Sequence, residues 1–129
     1  MTFAEIVEIL GNRLGIELYV HNGSCHVDVD DMTICIQEIE DIGGFCLVGE
    51  IGELPPLNAE AVMSALLTAN HLFQGTGGAT ISRDPVTGNL FLCRYERLDF
   101  LDGDRVYDMF CNFVNTLEIW RETVANYHA

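Results

Sequence analysis

Apolar residues in this 129-residue chain switch between two spacings, and the order of the switches limits what it can build. Phe3, Ile6, Val7, Leu10 and Leu14 recur at intervals of three and four, the repeat of one helical face. Thr2, followed three residues later by Glu5, is a capping-box start, and Gly15 suits a left-handed end. From Ile16 to Ile51 the period falls to two. Leu18 and Val20 lead in, and Val27, Val29, Ile34 and Ile36 alternate with polar or small neighbours. Phe45 to Val48 starts another strand after Gly43-Gly44. His21 to Ser24 and Asp30-Asp31 are turn chemistry, so these strands form an antiparallel meander with one wet face.

Pro55-Pro56 closes that section, and Asn58 is a suitable cap for a second helix. Val62, Met63, Leu66, Leu67, Leu72 and Phe73 give this helix more than one apolar side, with Ala59, Ala61, Ala65 and Ala69 between. Such a helix is buried on more than one side, and in a small domain the second side fits a subunit interface. Ala79–Arg83 and Asn89–Tyr95 flank Asp84-Pro85-Val86-Thr87-Gly88, which predicts a hairpin with a left-handed residue at Gly88. A last helix from Asp102 or Asp104 carries Val106, Met109, Phe110, Phe113, Val114, Leu117, Ile119, Trp120 and Val124. The expected fold is α+β in one domain, residues 1–129: helix, three strands, helix, two strands, helix, with a twisted antiparallel sheet packed on the helices.

Charge narrows the partners. Twenty acidic residues face six basic ones, all arginine, for a net charge of −14. So few cations neutralise few phosphates, which disfavours nucleic acid, and the same sign is repelled by anionic lipid. No apolar run reaches the ~18 residues of a membrane span, and the acidic start MTFAEIVEIL lacks the basic region of a secretory signal. Five cysteines without a CxxC pair read as free thiols in a reducing cytoplasm.

The motifs that could carry chemistry are weak. Cys25-His26, with His21 nearby, invites a thiol nucleophile, but Asp28, Asp30 and Asp31 oppose a thiolate there. The three aspartates lack the glycine and ligand spacing of a calcium loop. Cys25, His26, His21 and Cys35 match no zinc ligand spacing. His71, beside Asn70 on the second helix, reads as a satisfied interface residue rather than a base, and His128 as a mobile terminal one. Gly75-Thr76-Gly77-Gly78 lacks the lysine and the following helix of a phosphate loop. No enzyme, metal or cofactor is expected, and binding is the favoured occupation.

The layout resembles the class I type III secretion chaperones, the Tir chaperone-like family. Carrying the resemblance are Leu14-Gly15 closing the first helix, Leu66-Leu67 with Asn70, Gly77-Gly78-Ala79, Gly88-Asn89-Leu90 with Leu92, and an aromatic last helix. It spans Phe3 to about Trp120. It implies a homodimer in the bacterial cytoplasm. It further implies that the N-terminal chaperone-binding segment of a secreted effector is held extended, soluble and export-competent, without nucleotide hydrolysis, and that the secretion-system ATPase is contacted. Under the same resemblance, Leu66, Ala69, Asn70, Phe73, Phe91 and Tyr95 are the expected dimer contacts.

A segment that folds onto a surface needs spaced apolar pockets and a strand edge. Leu18, Val20, Val27, Val29, Ile34, Ile36 and Leu47, with Phe3, Val7 and Leu10 beside them, are the expected effector contacts. Half of these positions must face the core instead, and alternation does not say which half. Two readings compete with the chaperone. One is an acidic inhibitor or immunity protein of a basic toxin, and the other a small thiol hydrolase using Cys25 and His26.

Overall fold

A computed structural model describes residues 1–99 and 101–128. The first helix, α1, covers Phe3–Leu14. Its ends follow from local chemistry. The Thr2 hydroxyl accepts from the Glu5 N–H at 3.2 Å, and Gly15 takes the left-handed conformation at φ 73°. Strands β1 (Ser24–Val29), β2 (Met32–Ile39) and β3 (Gly44–Gly52) form the meander. Helix α2 (Ala59–Asn70) crosses to the hairpin of β4 (Thr80–Arg83) and β5 (Leu90–Arg97). Helix α3 (Gly103–Asn126) closes the chain, capped by Asp102, whose carboxylate accepts from the Arg105 N–H at 2.8 Å.

The five strands lie in the order β1-β2-β3-β5-β4, every neighbour antiparallel. On one face Cys25, Val27, Ile34, Ile36, Phe45, Leu47, Leu90 and Leu92 enter the core with Ile6, Val7 and Leu10 of α1 and Phe110, Phe113 and Leu117 of α3. Gly49 lets α3 sit close: a Cβ there would lie 2.4 Å from Leu117 Cδ2. Arg121 fastens the same helix to the sheet, donating to the Glu50 carbonyl at 3.1 Å and pairing with Asp31.

The second helix starts where expected, with Asn58 at its N-cap position, but departs from expectation in two details. Asn58 precedes it, but the side chain caps nothing there; its amide donates instead to the Tyr127 carbonyl at 2.9 Å. The helix also ends at Asn70, before Leu72 and Phe73, which both take left-handed conformations at φ 54° and 58°. Ile16 to Val20, expected to lead into the strands, likewise belongs to no strand. The hairpin loop matches its expectation. Gly88 is left-handed at φ 79°, and Asp84 accepts from the Val86 N–H and the Thr87 hydroxyl.

Asn70 holds the edge strand. Its amide donates to the Ile81 carbonyl at 3.0 Å and accepts from the Ile81 N–H at 2.8 Å, as a strand neighbour would. Asn70→Ala leaves both main-chain groups unmatched and should cost about 2 kcal/mol in urea unfolding. A loss of less than a few tenths would show that these bonds carry no stability.

Candidate functional site

An exposed apolar stretch of chain lies beside α1. Gly11, inside the helix, makes the approach possible: a Cβ there would sit 2.9 Å from the Ile16 carbonyl oxygen. The Ile16 N–H closes the turn on the Gly11 carbonyl at 3.0 Å, and the chain then runs to Val20 without regular secondary structure. Between the two lies a groove of about 400 Å³ lined by Val7, Glu8, Asn12, Ile16, Leu18 and Val20. Tyr19 is 73% exposed, Ile16 45% and Val20 43%. Among the described residues, Glu17 to Val20 make no main-chain hydrogen bond to another backbone group. This stretch therefore offers apolar side chains together with main-chain groups that no other backbone pairs, the Tyr19 N–H alone facing the Cys25 sulfur, and these are the two things an added strand needs. Glu8 and Glu17 make its rim acidic.

The expected effector contacts divide sharply. Phe3, Val7, Leu10, Val27, Ile34, Ile36 and Leu47 are core residues, each no more than 3% exposed. They point to the helix-covered face because α1 and α3 pack there, so no partner reaches most of their surface. Leu18, Val20 and Val29 keep accessible surface. The sequence reading missed Ile16 and Tyr19. A signal was present in Gly11, since glycine inside a helix costs about 1 kcal/mol against alanine and implies a close neighbour.

The expected dimer contacts do not form one patch. Leu66 and Ala69 are buried within the domain, and Asn70 is occupied by Ile81. Phe91 and Tyr95 point to the sheet face away from the helices, because Leu90 and Leu92 beside them enter the core. Phe73 is exposed at the end of α2. A different apolar stripe does run along α2: Met63 and Leu67, one turn apart, continue into Leu72 and Phe73.

The chemical candidates are explained by structure. Cys25 points into the core and His26, the next strand residue, points out, so the two cannot act together. Burial pushes the Cys25 thiol up, away from thiolate. Asp28 accepts from the Thr33 hydroxyl and Asp31 pairs with Arg121. Among the described residues no three His, Cys, Asp or Glu side chains converge as metal ligands. The glycine loop turns its carbonyls inward: Gly75 accepts from the Trp120 indole at 2.8 Å, and Gly77 from Asn112 and Arg94 at 3.0 and 3.2 Å. It is a splint between α3 and β5. The His128 ring lies 3.0 Å from the Glu53 carbonyl. No helix among the described residues is long and apolar enough to cross a membrane.

A groove with free main-chain groups beside an amphipathic helix is the equipment of a domain that holds another polypeptide. The chain belongs to the Tir chaperone protein (CesT) family, whose sequence model matches residues 5–121. No curated protein sequence matches it. Among solved structures it is similar to a chain of the ExsC–ExsE complex, with a TM-score of 0.78 at 14% identity over 96% of this chain and 97% of that one. It is also similar to a chain of the heterodimeric ExoU–SpcU complex from the type III secretion system of Pseudomonas aeruginosa, with a TM-score of 0.69 at 21% identity over 95% and 94%. The same fold occurs in YbjN, a putative transcription regulator from E. coli, with a TM-score of 0.69 at 12% identity over 97% and 92%. At these identities the likeness is one of fold, and the family assignment rests on the sequence match.

Proposed function

We propose that this protein is a cytoplasmic type III secretion chaperone that binds the N-terminal segment of one or more effectors and keeps it extended and export-competent. The observation that carries this reading is the groove between α1 and Ile16–Val20, where exposed apolar side chains and unpaired backbone coincide. A folded partner does not need free main-chain groups; an unfolded strand does. The ExsC–ExsE and ExoU–SpcU complexes, in each of which one chain shares this fold, support the same direction. The net charge of −14 favours effector segments with basic residues and repels other copies of the complex. The work is binding, without a chemical step.

The test is co-purification of a tagged copy from its native host, followed by limited proteolysis of what it retains. Protection of an extended N-terminal piece of a secreted protein is the expected result. A compact, basic, folded enzyme as partner would replace this reading with that of an inhibitor.

The working unit is a homodimer formed through the α2 stripe of Met63, Leu67, Leu72 and Phe73. Leu67 is 72% exposed and Phe73 54%, an area costly to leave in water. Phe73→Asp should convert the protein to monomer by light scattering. Unchanged mass would place the contact elsewhere.

A further inference from the structure

The groove beside α1 carries a charge pattern of its own. Ala4, Glu8, Gly11 and Asn12 fall on one stripe of α1 and form the first wall, and Glu17 stands on the other, between Ile16 and Leu18. The buried Val7 and Gly11 and the half-buried Leu18 form the floor. The Tyr19 hydroxyl donates to Glu17 Oε2 at 2.6 Å and holds that carboxylate at the edge. Glu8 and Glu17 are both exposed, and among the described residues neither forms an ion pair. No cation lines the groove among those residues. The arginine nearest to it on α1 is already taken: Arg13 pairs with Asp104, and its guanidinium lies 5.8 Å from the centre of the Tyr107 ring.

Two uncompensated carboxylates above an apolar floor set terms for what can lie between them. A wholly apolar segment would strip water from both charges and return nothing for it. An extended segment sends successive side chains to opposite sides, at about 3.3 Å per residue. Two apolar residues separated by one position therefore reach the floor together. The residue between them points away from the floor. If it is basic, its long stem lies along the rim and carries its charge to the carboxylates.

We propose, on the footing that this groove is the effector site, that Glu8 and Glu17 are its specificity-determining residues, selecting an extended peptide in which an arginine or lysine stands between two apolar residues. The preference for basic segments then resides in two side chains, one on each wall, and not in the overall charge of −14. Tyr19 supports it by keeping Glu17 in place before the peptide arrives.

Selection of a random decapeptide library on the full-length protein reads this preference directly. Peptides with a basic residue between two apolar ones are expected to be enriched. On the double variant Glu8→Gln with Glu17→Gln, the basic position should be lost and the apolar ones kept. For a selected arginine peptide, exchanging arginine for its uncharged isostere citrulline should weaken binding to wild type about tenfold at low salt, about threefold per carboxylate. The same exchange should leave binding to the double variant unchanged. In about 1 M salt, where charges are screened beyond about 3 Å, the wild-type difference should shrink to about twofold. Glu122→Gln removes an exposed carboxylate of α3, away from the groove, and should bind like wild type. A wild-type selection without a basic position, or equal citrulline losses in wild type and double variant, overturns the proposal. So does a loss in Glu122→Gln as large as in the groove variants, which would return the preference to overall charge. The groove itself survives those results if Ile16→Ser with Val20→Ser still weakens the selected peptides. Peptides indifferent to that change, or a selection that retains none, would remove the groove as the effector site and the proposal with it.

Discussion

Changing Ile16 and Val20 together to serine is expected to weaken the binding of a cognate effector segment by about 30-fold or more and leave the fold intact. Each side chain is a little under half exposed and keeps roughly half its burial energy in hand for a partner. Full burial of such a side chain is worth about 1.5–3 kcal/mol, so each has about 1 kcal/mol to give. Two together come to about 2 kcal/mol, which is a factor of about 30 in Kd. Serine also adds hydroxyls that a dry contact leaves unmatched. Neither residue belongs to the buried core, so unfolding stability should move by no more than about 0.5 kcal/mol per site. Titration calorimetry against the isolated effector segment, beside a urea melt, reads both numbers. Equal affinity for wild type and variant would mean that the effector lies elsewhere on the protein. Weaker binding with a large loss of stability would mean that the segment is structural.

Leu117→Ala should be strongly destabilising. The side chain is fully buried and rests on the gap left by Gly49 in β3. Truncating a core leucine costs about 2–5 kcal/mol, the upper part of the range applying where neighbours cannot collapse into the space. For a domain of this size that corresponds to a fall in Tm of roughly 10–15 °C. Gly49→Ala errs the other way, forcing a methyl group to within 2.4 Å of Leu117 Cδ2. Overpacking of that kind costs about 1–3 kcal/mol. The two faults are complementary. The double variant Gly49→Ala with Leu117→Ala should therefore be more stable than Leu117→Ala alone, because the new methyl enters the space the leucine vacated. Simple addition of the two losses would show that Gly49 and Leu117 do not share one packing site.

How far the sequence could be read depended on whether a decision was local. The first helix was legible at both ends because Thr2, Glu5 and Gly15 act within a turn of themselves. The hairpin was legible because Asp84 and Gly88 are its own turn chemistry. Asn58 marked the start of its helix correctly, but its amide serves a distant acceptor, the Tyr127 carbonyl, which no spacing announces. Leu72 and Phe73 misled because helical periodicity continues past Asn70 while the backbone turns left-handed. The site was less legible than the fold. Alternation shows that a strand has two faces, but α1 and α3 decide which face is inside. Most of the apolar residues expected to meet an effector were therefore core. The groove was built from Ile16 and Tyr19, whose stretch has no partner strand to give it a period.

The sheet order also sets a timetable. β3 pairs with β5, so the middle of the sheet cannot form until the hairpin that follows α2 has been made. Pairings between residues so far apart along a chain close slowly. α3, which lies across β3, is synthesised after all five strands, and Leu117, Arg121 and Val124 fall within its final turns. During synthesis α1 and the β1–β3 meander are complete while their apolar face still lacks its cover. The newborn chain thus has a vulnerable interval that ends only when α3 arrives, and removing α3 would make the interval permanent.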